Sequence, residues 1–307
     1  KLLQKGRLIS DLFMFWRPNS LRVFILGIAF ALMWSSAFTS ARIIVSAAPP
    51  LSALSLRFMV SGLLAMVIGW ALGQSLSLTR AQWKATFIFG ICQNSIYLGL
   101  NFIAMQEVDA SIAAIIASTM PLIVAFLGWS IFRNQLNFKA TFGLILGFTG
   151  VLVIMTTRIQ SISDLGPIIL CIIGSISLAI ATLSVKNAGS GGNLWIIVGY
   201  QMIIGSVVLL PFALFFEKIN VIWSSKLLIA FSYTTLIPGL LATWVWFVLV
   251  SEVGAIKGAT YHFLNPFFGV LIAYIVLNEG VGLYDYIGVI IISLGIMAVQ
   301  FSQTIKS

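Results

Sequence analysis

Gln93, Asn94, Tyr97 and Asn101 place hydrogen-bonding groups in an otherwise largely apolar run. Helical spacings of three, four and seven set Asn94, Tyr97 and Asn101 on one face, with Gln93 beside them. Two carboxamides and a phenol can bind a carboxylate or an amine without demanding net charge. A second cluster, Tyr261, His262 and Asn265, precedes Pro266. His262 is the single histidine of the chain. Its imidazole could bind substrate, exchange a proton in a coupled carrier, or stay neutral in a bond to a neighbouring helix. Trp34 lies within an apolar run and suits a cavity wall, where its ring stacks and its N–H donates. The structural alternative for all of these is an interhelical ladder, worth under about 1–2 kcal/mol per bond.

Pro121, Pro238 and Pro266 each remove a backbone donor in mid-run and are hinge candidates. Arg57 is the deepest arginine; it can pair with Glu107 or Asp109, reach outward, or meet a substrate carboxylate. Gly143 and Gly147 form a GxxxG, which suits close helix packing before dimerisation. Cys92 and Cys171 lack metal-ligand spacing and read as packing residues.

The elements that must hold these groups are membrane spans. Of 307 residues, 60% are hydrophobic and 8% charged, against roughly 25% charged in soluble domains. The apolar runs reach about 20 residues, the length of a membrane-crossing helix. None alternates over short segments as a β-barrel strand does. Ten spans follow, near 23–46, 51–73, 84–105, 109–132, 138–157, 166–186, 193–216, 225–250, 254–277 and 282–303. Residues 1–21 read as an amphipathic cytoplasmic segment lying on the membrane, and no cleavable signal peptide is expected. The net charge of +9 belongs to helix ends and not to a nucleic-acid site. With the N-terminus in the cytoplasm, twelve of the 17 lysines and arginines fall inside, which predicts N-in and C-in.

The chain also repeats itself at an offset of about 145: Glu107 with Glu252, Ala114 with Ala259, Pro121 with Pro266, Gly143 with Gly288 and Gly150 with Gly295. Nearer the start of each half the offset is about 143, with Met59 on Met202 and Gly62 on Gly205. Five spans per copy is odd, so the copies enter the membrane from opposite sides. The expected fold is therefore all-α, ten transmembrane helices as two inverted five-helix repeats, 22–157 and 158–307. Such repeats are typical of secondary transporters, with substrate near the midplane.

Trp34-Ser35-Ser36, Pro50 with Leu56-Arg57-Phe58, Pro121-Leu122, Asn265-Pro266 and Leu277-Asn278-Glu279 resemble the drug/metabolite transporter superfamily, specifically its ten-helix carriers with two EamA-type repeats. The resemblance runs from Arg22 onward. It departs at Asn134, where the family usually carries Glu; Glu279 keeps it. It implies a bacterial inner-membrane exporter of amino acids or related metabolites, with a cavity lined mainly by spans one, three, four, six, eight and nine.

No carboxylate lies in mid-span, so exchange on a first-helix Glu is unavailable. No Walker A or HExxH motif occurs, and no cofactor or metal is expected. The leading expectation is a secondary carrier exporting a small zwitterion by alternating access. It would act as a monomer or weak homodimer among membrane lipids, with Trp34, Asn94, Tyr97, Asn101, Tyr261, His262 and Asn265 on the substrate. A multidrug or nucleotide-derivative carrier is the alternative within the class. A lipid-modifying membrane enzyme and a structural subunit are the readings outside it.

Overall fold

A computed structural model describes residues 18–133, 137–156, 165–185, 192–277 and 282–300. Among them the regular elements are helices, with no strand. They are α1 (Pro18–Val45), α2 (Pro50–Ala71), α3 (Arg80–Ala104), α4 (Ala110–Ala117 and Met120–Phe132) and α5 (Phe138–Met155). The second half supplies α6 (Gly166–Ser184), α7 (Leu194–Phe216), α8 (Ser225–Val253), α9 (Ala255–Val276) and α10 (Leu283–Gln300). Among the described residues nine are long and apolar enough to cross a bilayer, and α10 is apolar over Leu283–Val299. Residues 1–17, Asn134, Asn278 and Glu279 lie outside the described residues.

Helix starts follow from local chemistry. Thr79 and Gln82 form a capping box, with Gln82 N donating to Thr79 Oγ1 at 3.2 Å and Thr79 N to Gln82 Oε1 at 2.9 Å. This box starts α3 at Arg80, a turn earlier than the apolar pattern, which the charges of Arg80 and Lys84 interrupt. Asn137 caps α5 through Ala140 N at 2.8 Å, and Ser224 caps α8 through Leu227 N at 3.1 Å.

The two halves are related down to single contacts. α2 packs along α7 and α5 along α10. α1 packs on α8 and α9, and its counterpart α6 packs on α3 and α4. A Cβ built on Gly143 would meet the Gly295 carbonyl oxygen at 2.7 Å, and one on Gly150 the Gly288 oxygen at 2.7 Å. Gly143 thus serves close packing inside the molecule. Ser55 Oγ donates to Ser206 O at 3.0 Å, and Ser206 Oγ to Ser55 O at 2.8 Å. At one end, Glu217 accepts from Leu51 N at 2.7 Å and Ser52 N at 2.8 Å, capping α2 from beyond the end of α7. At the other, Gln74 Oε1 accepts from Trp195 N at 3.0 Å, capping α7 from beyond the end of α2. Gln74 and Glu217 are repeat equivalents at the offset of about 143.

Irregular backbone recurs symmetrically too. α3 is π-helical over Gly90–Leu98 and α8 over Thr235–Leu241, both starting 145 residues apart. α4 breaks at Ser118–Thr119, and α9 tightens to a 3-10 turn over Thr260–Leu264. Pro238 lies in the α8 π-turn, while Pro121 and Pro266 open the second parts of α4 and α9. Outward-facing Val67, Phe87, Ile145, Ile172 and Leu210 are exposed apolar side chains, a surface matched to acyl chains.

Candidate functional site

The π-turn of α3 decides which polar groups share a face. Hydrogen bonds running i to i+5 widen the helix, so spacing rules for an α-helix no longer hold there. Asn94 turns toward α7, where its amide donates to the Gln201 carbonyl at 2.8 Å and also to the Gln201 side-chain oxygen. Gly205 makes room: a Cβ there would lie 2.4 Å from Asn94 Cβ. Gln93 donates to Asn94 Oδ1 at 3.5 Å. Tyr97 and Asn101 instead face a cavity between α1, α2, α3 and α8, whose wall also includes Trp34, Phe38, Arg57, Phe102, Met105 and Pro238.

Two wall groups are buried without a full set of partners. Asn101 Nδ2 donates to Tyr97 O at 2.8 Å, but its Oδ1 receives nothing. The Tyr97 hydroxyl has no acceptor; its ring lies parallel to Trp34, centroids 6.3 Å apart and 8° between planes. Buried polar atoms are normally satisfied, and each orphan costs about 1–3 kcal/mol. Arg57 adds a charge. It is 3% exposed, its Nε has no partner, and among the described residues neither Glu107 nor Asp109 pairs with it. Its guanidinium carbon stands 4.7 Å from the Phe58 ring centre and 5.7 Å from that of Phe102. Such contacts return about 2 kcal/mol when dry, less than an unpaired buried ion costs.

Tyr261, His262 and Asn265 lie behind Trp34. Ser35 Oγ donates to Asn265 Oδ1 at 3.1 Å, and the Asn265 amide meets His262 Nδ1 at 3.0 Å. This order assigns His262 as neutral with its proton on Nε2. The imidazole stands edge-on among Phe30, Trp34 and Trp246, at 5.1, 5.7 and 5.2 Å. The Tyr261 ring fills the space where a Cβ on Gly27 would be. Trp34 is thus parallel to the Tyr97 ring and nearly perpendicular to the His262 imidazole. Gln201 and Ser35 complete these networks beyond the residues foreseen as binding groups; Arg57, foreseen as deep, joins the wall without the Glu107 or Asp109 partner considered for it. The lone amide of Gln201 in an apolar span was the available signal for one of them.

The space open to a water centre in this cavity is about 20 Å³, room for roughly one molecule. One turn along α3, Ile103 and Gln106 border an open vestibule of about 510 Å³, together with the α1–α2 connection and Phe216, Glu217 and Lys218. That is the size of a small-molecule site. Phe102 and Met105 line the inner cavity, each one residue before the Ile103 and Gln106 that border the vestibule.

A profile described as the EamA-like transporter family matches residues 21–156 and again 165–301. An uncharacterized transporter of Bacillus subtilis, YvbV, is 25% identical over 271 residues, 88% of each chain. Protein PecM of Dickeya dadantii is 21% identical over 87% of this chain and 89% of its own. A WAT1-related chloroplast protein of Arabidopsis thaliana is 22% identical over 88% of this chain and 67% of its own. One crystal structure shares the fold, with a TM-score of 0.72 at 16% identity over 90% of this chain and 96% of that one.

Proposed function

This chain belongs to the EamA-like transporter family of the drug/metabolite transporter superfamily, and from that premise we propose that it exports small zwitterionic metabolites, amino acids foremost, by alternating access. The observation that carries the substrate class is that the Tyr97 hydroxyl lacks an acceptor and the Asn101 oxygen lacks a donor, both on residues that line one buried cavity. A donor and an acceptor left open in one cavity wall suit a solute that carries both a carboxylate and an ammonium. The stacked Trp34 and Tyr97 rings and Phe38 supply an apolar flank for its side chain.

The conformation described is the closed one, with the vestibule ligand-sized and the inner cavity water-sized. Rocking of the two inverted halves would open the cavity to each side in turn, with Pro121, Pro238 and Pro266 as hinges at breaks the helices already contain. The lysine and arginine bias supports N-in and C-in in a bacterial inner membrane, which puts the vestibule outside. Asn94, Tyr261, His262 and Asn265 then shape the cavity from behind, through Gln201, Ser35 and Trp34.

Purified protein in liposomes, assayed for uptake against an amino-acid panel, tests this. At least one amino acid should be carried and saturate. Tyr97→Phe and Asn101→Ala should each raise its KM about tenfold, the worth of one hydrogen bond to a charged group. A wild-type protein that carries none of the panel but does carry a nucleotide derivative or a cationic drug would replace the substrate assignment.

A further inference from the structure

Arg57 sits in the cavity wall with nothing to neutralise it. Its Nε is buried without a partner, and among the described residues no carboxylate reaches it. The contacts with Phe58 and Phe102 hold the guanidinium over ring faces and consume no N–H donor. The fold does not ask for this charge. At the offset of about 143, Arg57 corresponds to Tyr200, whose ring packs on Trp83 at 4.8 Å. The same helix position in the second copy is built without a cation.

We propose that Arg57 is the anchor for a carboxylate on the transported solute, and that this makes the carboxylate obligatory for transport. The inference rests on the carrier reading above and adds which group of the solute is read. A guanidinium fork matches a carboxylate with two parallel hydrogen bonds. The Tyr97 hydroxyl is a further donor to the anion. The Asn101 oxygen is the acceptor left for the ammonium. One zwitterion satisfies all three, and the buried ion becomes a buried pair. The approach is charged to match. Lys218 lines the vestibule. Arg42 stands near the inner lip, its guanidinium on the Met105 carbonyl. Glu217 lies there too, but its carboxylate is occupied by the α2 N-terminus.

The test uses the full chain in liposomes and in detergent. Once a carried amino acid is found, its uptake is compared with that of its amide, which keeps the ammonium and lacks the carboxylate. Wild type should carry the acid and ignore the amide as substrate and as competitor. Arg57→Gln should raise the KM for the acid about tenfold or more, and Arg57→Lys should recover part of that loss. In detergent, Arg57→Leu should melt no lower than wild type, since it removes an unpaired ion, but should lose the thermal shift that the amino acid produces. An unchanged KM in Arg57→Gln, an amide that competes as well as the acid, or a fall in ligand-free melting with the thermal shift intact would each overturn the anchor while leaving the carrier standing. If chloride shifts the melting of wild type as strongly as the amino acid does, the site is a general anion site and the carboxylate assignment fails. If wild type carries a carboxylate that is not an amino acid, the earlier reading fails and the anchor stands.

Discussion

Asn265 joins two helices through one amide: its oxygen accepts from Ser35 on α1, and its nitrogen meets His262 one turn back on α9. A second proton on His262 would have to enter at Nδ1, which already faces an N–H. The amide would then have to turn over, and the Ser35 hydroxyl rotate its proton aside and accept from the amide nitrogen instead. We therefore expect flux to follow the solute gradient, with an imposed pH gradient leaving initial rates unchanged in reconstituted protein. Acceleration by the gradient that disappears in His262→Ala would instead make the imidazole the proton carrier. At this scale the sequence was informative about residue type and weaker about direction. Asn94, Tyr97 and Asn101 stood out because amides and phenols are rare in apolar spans. Their shared face rested on α-helical spacing, and the π-turn over Gly90–Leu98 sends Asn94 to Gln201 and the other two to the cavity. Nothing in one sequence marks a π-turn. Arg57 was legible as deep, but its lack of a partner was not, because Glu107 and Asp109 lay within plausible sequence reach.

Helix ends were read to within about five residues; α1 begins at Pro18, ahead of the expected 23, and α3 begins four residues early because a polar cap lay outside the apolar pattern, at Thr79 and Gln82. The paired caps on α2 and α7 were not legible at all, since each joins residues more than a hundred positions apart. They are chemically unequal. Glu217 brings a carboxylate to the positive end of the α2 dipole and also accepts from Ser52 Oγ at 2.7 Å, whereas Gln74 brings a neutral amide oxygen to α7. Glu217→Ala should cost about 1 kcal/mol of stability, seen as a melting decrease of roughly 2–4 °C in detergent. Glu217→Gln, which copies the other end, should keep most of it. An alanine variant that melts with wild type would mean water serves α2 as well.

Opposed insertion of the halves was the strongest whole-molecule inference available from sequence, because it needed only an odd span count and a repeat. The reciprocal glycine contacts of α5 with α10 and the exchange of α1–α8 and α1–α9 packing for α6–α3 and α6–α4 give that inference its physical form. Orientation follows as a measurable expectation. With Cys92 and Cys171 replaced, a cysteine at exposed Ser46, between α1 and α2, should react with an impermeant maleimide in intact cells. One at exposed Ser75, between α2 and α3, should react only after permeabilisation. The reverse pattern would invert the direction of transport proposed above.

The water-sized cavity has a consequence for the cell that holds this protein. Protons cross membranes along files of linked waters, and ions cross with a hydration shell or with protein oxygens in its place. A chamber with room for roughly one water, lined by the apolar Phe102 and Met105 among others, is too small to hold such a file or a hydrated ion. At rest the carrier is therefore expected to insulate, leaving an imposed ion or proton gradient across protein-containing liposomes to decay no faster than across protein-free ones.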